Sequence, residues 1–221
     1  MMPAALEARD LYRFFHSAGE ETFALLGVSL TVERGQMAAV TGPSGSGKST
    51  LLACLAGLDD PDGGVVRIEG ELLSRQPETH RSRLRAARIG MLFQSNNLLA
   101  HLSVADNISL AQRLAGRANP LRREALLDQL GLAGRARARP SELSGGEAAR
   151  AGLAVALAND PVVVLADEPT GEVDAATEVQ VLHLLRSAAD AGAAVVVVTH
   201  SDAVAVAADI RVALRDGQVV R

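Results

Sequence analysis

The amino-acid sequence predicts an α/β protein with a mostly helical insert and a small β layer at its front, in a single domain over residues 1–221. Two continuous apolar runs, 162–167 and 193–200, are typical of strands buried on both faces of a parallel sheet. A third apolar strand, 37–41, runs directly into a glycine-rich loop and then an apolar helix. From residue 81 to about 160 the apolar spacing becomes helical, which indicates the insert.

The remaining elements follow from local patterns. The first forty residues contain β-branched alternation and a turn at 33–35, so they predict short strands, and a turn at 61–64 precedes another. The end of the chain predicts a hairpin around residues 216–217. Apolar spacings of three and four predict helices in the segments RSRLRAAR (81–88), ADNISLAQRLAG (105–116) and REALLDQLGL (123–132).

Composition restricts the class of protein. Hydrophobic residues make up 48% and aromatic residues 2% of the chain, so the core is expected to be built from Ala, Val and Leu. A net charge of −4 gives no electrostatic footprint for nucleic acid, and we expect no such partner. The single cysteine, Cys54, lies in an apolar run and is expected to be a buried hydrophobe. No signal peptide or membrane-spanning run is evident, so we expect a soluble chain in the cytoplasm.

The glycine-rich loop fits the pattern GxxxxGK[ST] between a strand and a helix, which is the context expected of a phosphate-binding loop. Glycines let backbone N–H groups face phosphate oxygens, and the helix N-terminus adds a positive dipole end. Lys48, the only lysine in the chain, is expected to reach the β- and γ-phosphates. These features predict a P-loop NTPase (RecA-like) core. The predicted ATP-binding residues of the loop are Gly42, Pro43, Ser44, Gly45, Ser46, Gly47, Lys48, Ser49 and Thr50.

Acidic and polar residues at strand ends predict the metal site and the catalytic base. Asp167 ends an apolar strand, where open α/β sheets bind ligands, and is the expected Mg²⁺ partner together with the Ser49 hydroxyl. Glu168 follows and is the candidate general base. Gln94, after a strand-like run, is expected to contact Mg²⁺ or water, and His200 to contact the γ-phosphate. Taken alone, the acidic pair also fits a helix N-cap.

A second glycine pair precedes another helix, in LSGGE at 143–147. Bare amides, a hydroxyl and a helix dipole again suit an anion. Ser144 and Glu147 also have the spacing of a capping box, so a well-capped helix is the alternative interpretation. Because one nucleotide needs only one phosphate-binding loop, the second pair is available to contact a nucleotide bound by another copy of the chain.

These motifs together resemble the ATP-binding cassette (ABC) transporter ATPases. GPSGSGKST, Gln94, LSGGE, VVVLADEPT, GEVD and His200 occur in the order of that family, over the whole chain. Within it, RPSELSGGE, LADEPTGEVD and IGMLFQSNNLLAHLSVADNISL are similar to the ATPases of lipoprotein-releasing and macrolide-exporting systems. The family's fold implies a P-loop core, an N-terminal antiparallel β subdomain and an α-helical subdomain inserted at about 95–160.

The resemblance implies an ATPase that dimerises on ATP and drives a separate integral membrane permease, at the inner face of the cell membrane. The permease docks in a groove near Gln94 and the helical insert, and this subgroup acts on substrates in the outer leaflet or periplasm. ATP and Mg²⁺ are the implied cofactors, Asp174 is the D-loop aspartate, and Lys48, Glu168 and His200 are catalytic. The residues expected to act in trans, on the partner's nucleotide, are Leu143, Ser144, Gly145, Gly146 and Glu147.

The sequence departs from the family pattern in several places. The signature helix continues with Ala148 and Ala149 where the family has Arg and Gln, and with Val155 where a later arginine is common; these changes are expected to weaken dimer contacts. Ser201 stands where Asp is common, and Glu172-Val173 where the D-loop has Asn-Leu. The adenine-stacking aromatic is Phe15, with Tyr12 and His16 as rival candidates, or all three form a structural patch.

Other classes of protein remain as alternatives. ABC proteins of DNA repair carry a long coiled-coil insert, and those of translation carry two cassettes; the sequence has neither feature. A P-loop kinase would have no use for LSGGE or for His200. A regulatory cassette that binds ATP and hydrolyses it poorly fits the altered signature helix, although Glu168 and His200 argue against it.

Overall fold

A computed structural model describes residues 3–17, 20–95, 97–171 and 174–220 of the chain. The front of the molecule is a four-stranded antiparallel sheet with the strand order β2-β1-β4-β5. Its first two strands form one long hairpin rather than the short strands predicted, because shifts in the pairing register between Ala8 and Leu11 and between Arg13 and Phe14 let the ladder continue where the apolar alternation is broken. The strands are β1 (Leu6–Ser17), β2 (Glu20–Val32), β4 (Gly63–Ile68) and β5 (Glu71–Leu72).

The second sheet has six strands in the order β10-β9-β3-β8-β7-β6. Five of them are parallel, and β10 pairs antiparallel with β9, as the predicted terminal hairpin requires. The carboxyl ends of β3, β7 and β8 therefore meet at one edge. The strands are β3 (Met37–Thr41), β6 (Ile89–Leu92), β7 (Val163–Asp167), β8 (Ala194–Val198), β9 (Ile210–Arg215) and β10 (Gln218–Val220).

Seven α-helices are assigned in the described residues, together with short 3₁₀ helices at Ala133–Arg135 and Pro140–Glu142. Three of the α-helices lie between β6 and β7 in the chain, where the helical insert is predicted. The helices are α1 (Lys48–Leu55), α2 (Glu78–Arg88), α3 (Val104–Leu114), α4 (Pro120–Gln129), α5 (Gly145–Ala156), α6 (Ala175–Asp190) and α7 (Asp202–Ala207).

The core lies on both faces of the parallel sheet, as the apolar runs predict. Val196 of β8 belongs to the cluster under the front sheet and α1, whereas Val195 and Val197 belong to the cluster under the helices. All three are fully buried. Cys54 is buried as predicted, and burial raises the pKa of its thiol to about 12. Within the described ranges, no helix has the length and apolar character needed to cross a membrane.

The structure corrects the element predictions at two further places. The helical stretch predicted from residue 81 is interrupted by β6, because residues 89–92 pair in parallel with β7. Helices α6 and α7 have no counterpart among the predicted elements. An available signal for α6 was the four-residue spacing of Val181, Leu185 and Ala189, which are all fully buried.

Candidate active site

A cleft of about 430 Å³ lies at the carboxyl edge of the parallel sheet and extends under the front hairpin. It brings together predicted residues from the glycine loop, from the ends of β7 and β8, and from the segment after β6. Such a volume suits a small-molecule ligand. The lining residues are Phe15, Thr22, Phe23, Ala24, Ser44, Gly45, Gly47, Lys48, Ser49, Thr50, Gln94, Asp167, Glu168, Val198 and His200.

The glycine loop is shaped by its contacts with the rest of the chain. Gly47 has a φ of +101°, and a Cβ there would lie 2.2 Å from the carbonyl oxygen of Ala24 in β2. A Cβ on Gly42 would lie 2.0 Å from the carbonyl oxygen of Leu214 in β9. Only glycine satisfies both positions without a backbone shift. The loop is therefore locked between the two sheets.

The single lysine is engaged with the loop itself. Lys48 Nζ donates to the carbonyl oxygens of Gly42 at 2.9 Å and Pro43 at 3.0 Å, and the side chain is largely buried. Ser46 is also buried, under the loop rather than in the cleft. The ammonium group is thus placed at the centre of the loop, where the phosphates of a nucleotide would lie.

Asp167 and Glu168 stand at the carboxyl end of β7, as predicted. Asp167 pairs in register with Val198, the last residue of β8. Burial raises the pKa of Asp167, the adjacent charge of Glu168 raises it further, and Lys48 opposes the shift. Glu168 has a left-handed φ of 44°, a conformation that non-glycine residues adopt at some expense in energy. Its N–H donates to the Val198 carbonyl oxygen at 2.9 Å, which helps to hold it there.

His200 contacts Glu168 twice. Its Nε2 lies 3.2 Å from Glu168 Oε1, and its backbone N–H donates to Glu168 Oε2 at 3.2 Å. The imidazole is more than half exposed and borders the cleft. The carboxylate and the imidazole therefore face the same space, where a water and a terminal phosphate would meet.

The donor set fits a magnesium ion. Ser49, Gln94 and Asp167 line the same cleft and offer hydroxyl, amide and carboxylate oxygens, the hard ligands that Mg²⁺ prefers. Burial and the adjacent Glu168 charge both disfavour the ionised form of Asp167 and raise its pKa, so a divalent cation bound beside it would stabilise the charged form.

The front hairpin closes the other end of the cleft with aromatic side chains. Phe15 lines it, whereas Tyr12 packs over Gly27 and Gly63: its hydroxyl oxygen lies 3.0 Å from where a Cβ on Gly27 would be, and a ring carbon lies 3.0 Å from where one on Gly63 would be. The side chain of His16 lies outside the described residues. The contributions of Thr22, Phe23 and Ala24 were missed by sequence reasoning; the concentration of aromatic residues in this hairpin was the available signal.

The second glycine pair lies outside the cleft, at the start of α5. Ser144 accepts from the Glu147 N–H at 3.2 Å, and Glu147 accepts from the Ser144 N–H at 2.8 Å, so the capping box is present. The hydrogen bond from the Ser144 backbone, together with the one from Arg135, lowers the pKa of Glu147. Capping alone therefore explains Ser144 and Glu147, and it leaves the two glycines to be explained.

The two glycines differ in their surroundings. A Cβ on Gly146 would lie 3.0 Å from Thr177 Oγ1 of α6, so close packing favours glycine there. A Cβ on Gly145 would meet no described atom within 4 Å, and its φ lies outside the left-handed region. No contact in the described part of the chain therefore requires glycine at position 145.

The D-loop candidate also has a structural role. Asp174 is the N-cap of α6, and its Oδ1 accepts from the N–H groups of Ala176 and Thr177 at 3.0 Å. Hydrogen bonds from Thr177 lower the pKa of Asp174. The neighbouring departures at 172 and 173 lie outside the described residues.

Comparison with known proteins agrees with this architecture. The profile of the ABC transporter family matches residues 25–171, which include the glycine loop, the second glycine pair and the acidic pair. The chain belongs to the ABC transporter family. It is an ABC ATPase cassette, with the mixed α/β fold that the sequence predicts.

Individual relatives extend the match over the whole cassette. The chain is 41% identical to an uncharacterized ABC transporter ATP-binding protein of Thermotoga maritima, and the match covers 99% of this chain and 94% of the relative. It is 40% identical to the macrolide export ATP-binding/permease protein MacB of Hyphomonas neptunium, of which it spans 35%. The cassette is therefore about a third of the length of that relative.

Solved structures show the same fold. The ATP-binding cassette MJ0796, described as a dimer in a post-hydrolysis state bound to ADP and Pi, superposes with a TM-score of 0.89 at 32% identity, covering 98% of this chain and 97% of the other. The predicted family and fold class are confirmed.

Proposed function

We propose that the cassette hydrolyses ATP as a head-to-tail dimer and that this cycle drives an integral membrane permease of an export system. The dimer is supported chiefly by the surroundings of Gly145. This residue begins a helix, has open space on its Cβ side and lies outside the cleft of its own chain. Glycine in the middle of a helix is destabilising by roughly 0.5–1 kcal/mol relative to alanine, and this is the upper bound at Gly145, the first residue of α5. Its retention is explained if the phosphates of a nucleotide on a second copy approach the bare backbone.

The cleft residues divide the work of hydrolysis between them. The glycine loop and Lys48 hold the β- and γ-phosphates, and Phe15 stacks on the adenine. Ser49, Asp167 and Gln94 hold Mg²⁺, which supplies charge neutralisation at the phosphate oxygens when bound. The signature residues 143–147 and Asp174 complete the site from the opposite copy.

Glu168 performs the proton transfer, and His200 supports it. Glu168 takes a proton from the attacking water as the new oxygen–phosphorus bond forms, and the bond between the γ-phosphorus and the bridging oxygen breaks to release ADP. His200, already 3.2 Å from that carboxylate, donates to a γ-phosphate oxygen and keeps the base oriented.

A separate apolar groove is the proposed docking surface for the permease. This groove, of about 320 Å³, lies between β6 and the helices α3 and α5. Leu58 and Leu114 line it while 51% and 71% exposed. Val155, about 15 Å along α5 from Gly145, also lines the groove, so that departure from the family pattern belongs to this surface. Relatives of the MacB type, named as joint ATP-binding and permease proteins, support export and a position at the inner face of the membrane.

Replacing Glu168 by glutamine tests the hydrolytic part. Turnover is expected to fall by about 10²–10⁴-fold, since a general base typically contributes that much, while the affinity for ATP is retained. Near-normal hydrolysis in this variant would contradict the general-base assignment, and hydrolysis unaffected by removal of Mg²⁺ would contradict the metal site.

Replacing Leu114 by glutamate tests the docking surface. The fraction of the protein that sediments with membranes of its own organism is expected to fall. The matched control is Leu121→Glu, at a leucine of α4 that is 79% exposed and lies outside the groove, and it should sediment as the unchanged protein does. Equal sedimentation of the two variants would contradict the assignment of this groove.

A further inference from the structure

The aromatic residues of the chain are concentrated at the end of the cleft under the front hairpin, where the nucleobase of a bound nucleotide is proposed to lie. Four of the five lie between positions 12 and 23, on the β1–β2 hairpin. Phe15 and Phe23 line the cleft, and Phe23 meets Phe14 edge to face at 5.3 Å between ring centroids. Phe15 itself is 40% exposed. Its ring therefore needs another contact if it is to present a fixed face to a nucleobase.

Arg13 supplies that contact. Its guanidinium carbon lies 4.7 Å from the centroid of the Phe15 ring, within the range of a cation–π interaction. Phe15 is among the described residues that line the cleft and Arg13 is not. The guanidinium thus covers part of the ring outside the cleft and leaves the cleft side open to a base.

The guanidinium is fixed by two aspartates. Its Nε and Nη2 donate to the two oxygens of Asp59 at 2.8 and 3.0 Å, the paired geometry in which an arginine fork binds a carboxylate most specifically. Its Nη1 donates to Asp62 at 3.2 Å, and Asp62 also accepts from the backbone N–H of Phe14 at 2.8 Å. With both edges held, the planar group cannot follow Phe15 if that ring moves.

The aspartates connect this support to the phosphate end of the cleft. The backbone N–H groups of Leu58 and Asp59 donate to the carbonyl oxygen of Ala53, near the end of α1. Helix α1 begins at Lys48, in the glycine loop. One hydrogen-bonded unit therefore carries both the phosphate-binding loop and the platform behind Phe15.

We propose that Arg13 is a positioning residue for the nucleobase, holding the Phe15 ring in place for the purine of the bound nucleotide. This role rests on the nucleotide site proposed above. An exposed side chain that is ordered before binding loses less conformational freedom when the ligand arrives, so the platform raises affinity through preorganisation. A solely structural role of Arg13 would instead affect all ligands of the cleft alike.

The test compares a ligand that has a base with one that has none. We would measure the dissociation constants of ATP and of inorganic tripolyphosphate for Arg13→Ala and Arg13→Lys, the second of which keeps the charge beside Asp59 and loses the planar group. Arg13→Ala is expected to bind ATP about 3- to 10-fold more weakly, the range that a cation–π contact supports. Arg13→Lys is expected to lose part of that affinity, because an ammonium cannot be held by both aspartates as a planar fork. Both variants should bind tripolyphosphate as before. In steady-state hydrolysis the KM for ATP rises and kcat stays the same.

Two controls isolate the path through Phe15. Arg9→Ala removes another β1 arginine, which is more exposed and pairs with Glu7, and it should change neither dissociation constant. In a Phe15→Ala background, which itself weakens ATP binding, Arg13→Ala should add less than twofold.

Three results would overturn the role of Arg13: an unchanged ATP affinity in both Arg13 variants, an equal loss of affinity for ATP and tripolyphosphate, or a full additional effect in the Phe15→Ala background. Binding of neither ligand by the unchanged chain would overturn the nucleotide site, and the role of Arg13 with it.

Discussion

The two glycine motifs of this cassette look alike in sequence and differ in what requires their glycines. In the first loop, a Cβ on Gly42 or Gly47 would lie 2.0 or 2.2 Å from a backbone oxygen of another strand. At Gly145 a Cβ would meet none of the described atoms within 4 Å. Contacts within the chain require glycine at Gly42 and Gly47 of the first loop and favour it at Gly146 of the second, whereas Gly145 has no such contact. Because Gly145 begins a helix directly after Ser144, its bare backbone is the place where we propose that another molecule completes the site.

The largest effect is expected from breaking the first loop. In Gly47→Ala the new Cβ conflicts with the Ala24 carbonyl oxygen at a φ of +101°. We expect the free energy of unfolding to fall by about 2–4 kcal/mol, from backbone strain and overpacking combined, and ATP binding to be lost. Urea unfolding and titration with ATP measure the two effects. Wild-type stability would show that the loop can relax, and it would contradict the claim that contacts within the chain require glycine at position 47.

A smaller effect on folding and a selective effect on function are expected at Gly145. Gly145→Ala should keep the free energy of unfolding or raise it by up to about 1 kcal/mol, because alanine is the better helix former. ATP binding by the monomer should not change. Turnover should fall by about 10²-fold, as when one preorganised contact to the transition state is lost. A variant as active as the unchanged protein would mean that no ligand approaches this backbone.

The smallest effect on stability is expected at Ser144, where the substitution separates capping from ligand binding. Aspartate is as good an N-cap as serine, so Ser144→Asp should leave the free energy of unfolding within about 0.5 kcal/mol. The added carboxylate would repel the triphosphate of the partner copy, so ATP-dependent association should be lost. Ser144→Ala is the matched control, which loses about 1 kcal/mol of stability with the cap. Association by Ser144→Asp would favour capping as the only role of this segment.

Local patterns predicted most of the site, and contacts distant in sequence supplied the rest. The glycine loop, Asp167, Glu168 and His200 each follow or precede an apolar strand, so their shared edge follows from parallel pairing. Their mutual geometry depends on the register of β7 with β8, which no local pattern contains. The predicted roles of these residues remain predictions.

The end of the cleft under the front hairpin contains contacts that local sequence patterns could not predict. Arg13 and Asp59 are 46 residues apart, and neither belongs to a motif that names the other. Their pairing depends on how the front sheet packs over α1. Helix α6 is a different case, because the four-residue spacing of its apolar residues is present in the sequence and is a local signal for a helix.

The most direct test of the account is the mass of Glu168→Gln in solution, measured by light scattering with and without ATP and Mg²⁺. This variant is chosen because it should bind ATP and fail to hydrolyse it. We expect a monomer without ATP and a species of twice the mass with it, and a monomer in both conditions when Gly145→Ala is added. A monomer in both conditions for Glu168→Gln alone, with ATP binding confirmed, would contradict the claim that the second glycine pair serves the nucleotide of another copy.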